Sequence, residues 1–128
     1  MRHSTTTPNK AEQARLDALH AMQCIACEME AGYAKVRKEL PLEQPSRTEA
    51  HHLTDNGYRK HSGGHSATLP LCGWHHRGEL VYPLSSREMR QLHGPSLALS
   101  KRVFIALYGS ERDLLAIVDA RLAAPVAA

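Results

Sequence analysis

Residues 10–22 are the first strongly patterned stretch of the chain: apolar side chains recur there at helical spacing, and neither glycine nor proline interrupts them. Asn9 precedes the stretch and can cap a helix by accepting a hydrogen bond from its first turn. The pattern therefore predicts an amphipathic helix. Residues 28–45 contain Gly32, two prolines and a charged stretch. They leave two alternatives open, a hairpin or a short helix followed by a loop.

Two short segments in the middle of the chain are candidates for extended structure, and the second of them is apolar. Residues 48–53 and 68–71 are predicted strands, and residues 54–66 between them are rich in Asn, Gly and Ser, which predicts a loop. A helix is predicted from His75 onward. Pro83 is expected to end it, because proline lacks the N–H that a helix interior needs.

The last third of the chain is predicted to be helical. Three capping signals divide it, namely capping boxes at Ser85–Glu88 and Ser110–Asp113 and a cap at Ser100. They predict helices over about residues 86–92, over residues 101–108 and from residue 111 onward. The apolar face of the last helix is predicted to consist of Leu114, Ile117, Val118 and Leu122.

These elements fit one modest domain, because the chain has 128 residues. Residues 10–123 are predicted to form that domain, with residues 1–9 and 124–128 as disordered ends. No apolar run approaches the roughly 18–20 residues that span a bilayer, and the polar start of the chain does not resemble a secretory signal. The sequence therefore predicts a soluble, cytoplasmic protein in which thiols stay reduced.

Positive charge is concentrated in the histidine-rich half of the chain. The formal net charge is only +3 with His neutral, but residues 51–102 contain seven Lys and Arg side chains against three Asp and Glu. This distribution suits an anionic partner near that segment. A solvated basic face without a ligand is an equally open interpretation.

All the cysteines belong to two motifs with the same spacing. Residues 24–27, CIAC, are predicted to form a turn with two thiols, and Cys72-x-x-His75 repeats the two-residue spacer. Zinc prefers four sulfur and nitrogen ligands at tetrahedral corners. The two motifs therefore predict a Cys3His zinc site made of Cys24, Cys27, Cys72 and His75. The alternatives are buried free thiols, or a redox CxxC pair that leaves Cys72 unexplained.

Two histidine doublets accompany these motifs. His51 and His52 would point to opposite sides of a strand, and His75 and His76 would lie about 100° apart on a helix. If His75 faces the zinc, His76 faces elsewhere. One strand histidine and His76 then suit a second metal, which leaves the other strand histidine as a base. Solvated or ordinarily buried histidines are the simpler alternative for each ring alone.

At this point the sequence resembles a known family. CIAC, EAHH and LCGWHH together resemble the HNH (ββα-metal) nucleases. The stretches HHLTDNGYRKHSGGHSATLPLCGWHHRGE and HGPSLALSKRVFIALYGSERDLLA are closer to the phage and prophage Ref-type, RecA-dependent nucleases. The resemblance covers most of residues 20–117. It implies an α+β fold with a small zinc-stabilised ββα-metal (HNH, or His-Me finger) core and flanking helices.

The resemblance also implies roles for individual residues. His51 and His76 would bind the catalytic ion, which is Mg²⁺, Mn²⁺ or Zn²⁺, and His52 would be the general base. The Asn that usually orients the base falls at about Ala67, which has no group to do so. His65 or Thr68 would replace it.

The implied activity is metal-dependent hydrolysis of DNA phosphodiester bonds, in phage or prophage recombination or DNA processing. The implied partners are DNA and, for a Ref-like protein, a RecA filament. Arg59, Lys60 and Arg77 are the candidate DNA contacts. The main alternative is a non-catalytic, zinc-stabilised DNA-binding module, which the missing Asn favours. A nuclease that acts on RNA is a third. The His51-His52 doublet with His76 favours an enzyme, because a structural zinc needs neither.

Overall fold

The structure is a computed structural model that describes residues 6–124, apart from the side chains of residues 60 and 61. Most of the two predicted disordered ends, residues 1–5 and 125–128, lies outside the described residues. The described elements are, in chain order, α1 (Lys10–His20), α2 (Ile25–Val36), β1 (Thr48–His52), β2 (Thr68–Cys72), α3 (Gly73–Arg77), α4 (Ser86–His93), α5 (Lys101–Tyr108) and α6 (Glu111–Ala123). This is a small α+β arrangement, as predicted from the sequence.

The sheet consists of β1 and β2, which pair antiparallel from Thr48 opposite Cys72 to His52 opposite Thr68. Both strands were predicted from their pattern, and both are present. Cys72 ends β2 and also caps α3, so the helix follows the second strand without a loop. The last residue of the sheet and the histidines of α3 are therefore within one helical turn of each other.

The loop between the strands is more ordered than its composition predicts. It contains two 3₁₀ turns, Arg59–Ser62 and Gly64–Ser66. Gly63 joins them with φ +112°, and a Cβ at that position would lie 2.5 Å from the Ala67 side chain. The amide of Leu53 donates to the carbonyl of Ala67 at 3.0 Å, which closes the loop at the sheet. The chain thus returns to β2 with the second turn beside β1.

The prediction for residues 24–27 was wrong in part, because they are the start of a helix rather than a separate turn. Cys24 caps α2, and its Sγ accepts a hydrogen bond from the backbone amide of Cys27 at 3.5 Å. A thiol thus takes the place of the hydroxyl or amide oxygen usually found at a helix cap. Of the two alternatives for residues 28–45, the helix followed by a loop is the one observed.

Helix α3 begins and ends earlier than predicted. It starts at Gly73 and ends at Arg77, well before Pro83, because Gly78 adopts a left-handed backbone with φ +73° and its amide donates back to the last turn. A Cβ at residue 78 would also lie 2.7 Å from the Leu99 side chain. The short helix places three consecutive side chains, residues 75–77, against different neighbours.

The three carboxyl-terminal helices match their predicted boundaries closely. The capping boxes of α4 and α6 are both formed. The predicted apolar face of α6 was wrong in part. Leu114, Leu115 and Val118 are buried, whereas Ile117 and Leu122 are each 37% exposed. Because α6 packs on β2, the side of the helix that carries Leu115 is covered and the opposite side is not.

The core lies between the sheet and the helices. Trp74 and Phe104 are its largest fully buried side chains. Arg15 on α1 donates to the Thr68 hydroxyl and carbonyl, each at 2.9 Å, and to Asp119 on α6 at 2.8 Å. One guanidinium therefore holds α1, β2 and α6 together. Among the described residues, every helix is too short or too polar to cross a membrane.

Candidate active site and metal centre

Four potential metal ligands meet where α2, β2 and α3 converge. Cys24 and Cys27 come from the start of α2, Cys72 ends β2, and His75 lies in α3; all four are buried, and their ligand atoms lie within 4.8 Å of one another. The Sγ atoms of Cys27 and Cys72 are 3.8 Å apart, and Nδ1 of His75 lies 3.3–3.5 Å from the three sulfurs. The structure thus brings together all four residues predicted to bind zinc.

These spacings match the edges of a zinc tetrahedron. With bonds of about 2.3 Å to sulfur and 2.0–2.1 Å to nitrogen, tetrahedral angles give about 3.8 Å between sulfurs and about 3.5 Å from sulfur to nitrogen. The ring of His75 is fixed by its other nitrogen, because Nε2 donates to the carbonyl of His93 at 2.7 Å. Such a partner holds a ligating imidazole in one tautomer and orientation. The group can therefore hold a zinc ion without rearrangement.

The electrostatics of the group also favour a cation at its centre. Burial disfavours a charged His75, but the contacts with the sulfurs of Cys24 and Cys72 outweigh it and raise its pKa to about 10. Hydrogen bonds with Cys24 and Cys72 raise the pKa of Cys27, while those with Cys24 and Cys27 lower the pKa of Cys72. Thiols packed this closely cannot all be deprotonated without repelling one another, and a divalent cation would neutralise that repulsion.

The second doublet member on α3, His76, faces the sheet instead. Its ring makes an edge contact with the ring of His51, with centroids 5.0 Å apart. Its Nδ1 lies 2.8 Å from Oε1 of Glu49, and Arg77 donates to both oxygens of the same carboxylate at 2.8–3.1 Å. Arg77 also pairs with Glu79. The Glu49 carboxylate therefore orients His76 and is itself held in place by Arg77.

The surroundings of His76 and Glu49 favour a neutral imidazole beside a charged carboxylate. Hydrogen bonds from Arg77 hold the pKa of Glu49 below its usual value. Burial lowers the pKa of His76, although the Glu49 carboxylate partly opposes the shift. His76 is therefore a neutral ring that donates from Nδ1, and its Nε2 carries the lone pair that a metal or a proton can use.

His51 has a buried carboxylate beside it. Its Nε2 is buried without a hydrogen-bond partner among the described residues and lies 3.6 Å from Oε1 of Glu111. Glu111 is only 5% exposed, and its other oxygen accepts from the amide of Thr54 at 3.2 Å. Burial alone would raise the pKa of Glu111, but the interactions with His51 and the amide of Thr54 together outweigh burial and lower it, which favours the charged carboxylate.

His52 lies on the other side of β1 and contacts a different histidine. Its Nε2 is 2.8 Å from Nδ1 of His65, whose Nε2 is 2.5 Å from the carbonyl of Thr6. Burial, followed by the nearby charge of Arg59, lowers the pKa of His52 to about 4. Thr68, the other sequence candidate for orienting the base, binds Arg15 and the carbonyl of His65 instead. Thr68 lies opposite His52 in the sheet, but of the two candidates it is His65 whose side chain has a hydrogen-bond contact with the His52 ring.

The three candidate DNA contacts are in different situations. Arg59 is exposed and close enough to His52 to lower its pKa. Arg77 is 53% exposed but already paired with two carboxylates. The side chain of Lys60 lies outside the described residues.

Sequence reasoning did not assign Glu49, Glu111 or the carbonyl of Thr6 to the site. Glu49 could have been predicted, because residues two apart on a strand share a face, and Glu49 therefore lies on the same face as His51. Glu111 has no such signal, because an acidic residue in the first turn of a helix is expected on local grounds alone. The contact of Thr6 spans 59 positions, and no local pattern indicates it.

One comparison with known proteins places this geometry in context. The family model described as "Recombination enhancement, RecA-dependent nuclease" matches residues 8–123. The matched region includes every residue named in the two histidine pairs and in the cysteine group. It confirms the resemblance to the Ref-type nucleases that the sequence motifs indicated.

Proposed function

The chain belongs to the recombination-enhancement, RecA-dependent nuclease family, and on this premise we propose that it is an HNH-type (ββα-metal) endonuclease that hydrolyses DNA phosphodiester bonds. Its two strands followed directly by α3 support a ββα-metal core within one domain over residues 10–123. The proposed setting is phage or prophage recombination, with DNA and a RecA filament as partners.

The contact between His52 and His65 is the observation that carries the proposal. A general base for hydrolysis must be neutral, held in one orientation, and able to offer one nitrogen to water. His52 has a depressed pKa, and its Nε2 is engaged at 2.8 Å by His65. We assign to His65 the orienting role that an Asn usually has in the HNH nucleases, which Ala67 cannot perform. This supports His52 as the base despite the departure from the usual motif.

In the proposed reaction, His52 removes a proton from a water molecule as its oxygen attacks phosphorus. The bond from phosphorus to the leaving oxygen breaks, and that oxygen takes a proton from solvent. His51 and His76 would hold the catalytic ion, which would supply positive charge for the phosphate and the leaving oxygen. Two imidazoles suit Zn²⁺ or Mn²⁺ on ligand type, and Mg²⁺ would rely more on water and phosphate oxygens.

The carboxylate next to each proposed ligand supports this assignment. A histidine that binds a metal usually donates its other N–H to a carboxylate or a carbonyl. His76 does so to Glu49, and the buried Nε2 of His51 faces Glu111 at 3.6 Å. In the cysteine group, His75 does so to a carbonyl. The two histidines of α3 thus have the second partners expected of ligands to two different ions.

We predict that Glu49→Gln weakens binding of the catalytic ion by about 10–100-fold, the usual cost of losing such a partner. Mn²⁺ binding to the zinc-loaded protein, measured by calorimetry or by electron paramagnetic resonance titration, tests this. The exposed Glu43 provides the control, and Glu43→Gln should bind Mn²⁺ as the wild type does. Equal Mn²⁺ affinity in both variants would contradict the role of Glu49.

We predict that Arg59→Ala lowers DNA affinity through one lost phosphate contact. The slope of log association constant against log salt concentration should become less negative by about 0.9. Fluorescence anisotropy with a duplex oligonucleotide across a salt series measures the slope. Arg37→Ala is the control, because Arg37 lies at the end of α2 beside Glu39. An unchanged slope for Arg59→Ala would remove that residue from the interface.

The alternative function is a non-catalytic, zinc-stabilised DNA-binding module, which the alanine at position 67 favours. A plasmid assay separates the two. Purified zinc-loaded protein is incubated with supercoiled plasmid and Mg²⁺ or Mn²⁺, with and without RecA filaments, and with chelator as the blank. Metal-dependent nicking supports the nuclease, and binding without nicking under every condition supports the module. The same assay with an RNA substrate tests the third possibility.

A further inference from the structure

We propose that the backbone just before α1 takes part in catalysis: the carbonyl of Thr6 fixes the tautomer of His65, and thereby fixes which nitrogen His52 presents to water. This inference rests on the proposed function, since it assigns a positioning role around the proposed base. The contacts involved are those from Thr6 to His65 and from His65 to His52.

The contact with the Thr6 carbonyl determines which nitrogen of His65 carries the proton. A carbonyl oxygen can only accept a hydrogen bond, so the 2.5 Å contact with Thr6 requires a proton on Nε2 of His65. A neutral imidazole carries a proton on one nitrogen only. Nδ1 of His65 is therefore the acceptor in its contact with His52.

The tautomer of His65 in turn determines which nitrogen of His52 carries the proton. Because Nδ1 of His65 accepts at 2.8 Å, Nε2 of His52 must be the donor. The single proton of the neutral His52 ring is then on Nε2, and the lone pair is on Nδ1. In the reverse arrangement His65 donates, the proton of His52 moves to Nδ1, and the ring has no lone pair for water. The Thr6 carbonyl selects between the two.

The position of the Thr6 carbonyl is fixed by the element that follows it. Asn9 caps α1 through a complete capping box with Glu12, and Arg15 of the same helix binds Thr68 at the start of β2. The segment of residues 6–9 is thus tied to the strand opposite His52. Because the Thr6 side chain is exposed, the role belongs to its backbone and not to its hydroxyl.

The test is a comparison of one deletion in two backgrounds. Deleting residues 2–7 from the wild type should lower kcat for plasmid nicking about five- to tenfold, as expected for the loss of one hydrogen bond, with KM for DNA nearly unchanged. In His65→Asn, an amide oxygen accepts from His52 and has no tautomer to choose. The same deletion should therefore change kcat less than twofold in that background.

Two controls separate this role from a structural one. Deleting only residues 2–5, or substituting the exposed Thr7→Ala, keeps the Thr6 carbonyl and should leave kcat at the wild-type value. Zinc content and melting temperature of the 2–7 deletion should match those of the wild type. An equal loss of kcat in both backgrounds, or no loss in the wild type, would overturn the inference.

A second measurement does not depend on activity. Long-range ¹H–¹⁵N spectra report which imidazole nitrogen carries the proton, and both His52 and His65 should be protonated on Nε2 in the intact protein. After deletion of residues 2–7, the signals should shift toward a mixture of tautomers. A proton on Nδ1 of His52 in the intact protein would refute the proposal. If His52→Ala nicks DNA normally, the proposed function fails; if only the deletion is silent, this inference alone fails.

Discussion

His52→Ala is expected to lower the rate of metal-dependent plasmid nicking by about 10²–10⁴-fold, the range that a positioned general base contributes. The reason is local, because the variant removes the imidazole that His65 contacts at 2.8 Å. Single-turnover nicking at saturating Mn²⁺ or Mg²⁺ measures the chemical step without the contribution of product release.

The control variant is His93→Ala, because the backbone carbonyl of His93, and not its ring, serves the cysteine group. It should nick DNA at the wild-type rate. Binding of His52→Ala to duplex DNA and its zinc content should be unchanged, so that a lost rate cannot be assigned to unfolding. A His52→Ala protein that nicks within threefold of the wild type would eliminate His52 as the base.

His75→Ala is expected to release zinc and unfold the protein, whereas His76→Ala should keep zinc and lose nicking. Structural zinc sites contribute roughly 10–16 kcal/mol of apparent binding free energy, and a whole domain is stable by only about 5–15 kcal/mol. Loss of one of the four ligands therefore removes an amount comparable to the total stability. His76, the neighbouring histidine of α3, is a matched control, since it has the same side chain but faces Glu49 and His51 instead of the cysteines.

Metal analysis and thermal melting followed by circular dichroism test this pair of variants. The expected result is no bound zinc and no cooperative transition for His75→Ala, with a wild-type melt and one zinc for His76→Ala. Cys27→Ser should behave like His75→Ala. Loss of zinc from His76→Ala, with zinc retained in His75→Ala, would reverse the assignment of the two histidines.

The features that sequence alone predicted are those that depend on spacing. The two-residue spacers at Cys24–Cys27 and Cys72–His75 indicated two ligand pairs, because a tight turn or a helical turn brings such residues together in any fold; that the two pairs meet followed from the four ligands that zinc needs. The capping boxes at Ser85 and Ser110 gave the starts of α4 and α6 for the same reason. The physical cause in each case acts within four residues.

The features that sequence missed depend on tertiary packing. Helix α2 starts at the cysteine pair because the thiol of Cys24 caps it, an unusual cap that composition does not suggest. Glu111 and Thr6 reach the site from opposite ends of the chain. The apolar face of α6 was misplaced because periodicity shows that a helix has an apolar side, and only its contact with β2 determines which of Leu115 and Ile117 is covered.

The pairing of Thr48 with Cys72 has a consequence for the whole hairpin. A two-stranded sheet on its own holds its alignment weakly, and a shift of one residue turns every side chain to the opposite face. Here one end of the ladder is Cys72, one of the four residues that could hold a zinc ion, and Thr48 beside it donates to the carbonyl of Met22 at 2.7 Å. A zinc ion held by this group would therefore fix the register of the two strands. That register determines that His51 contacts His76 and that His52 contacts His65.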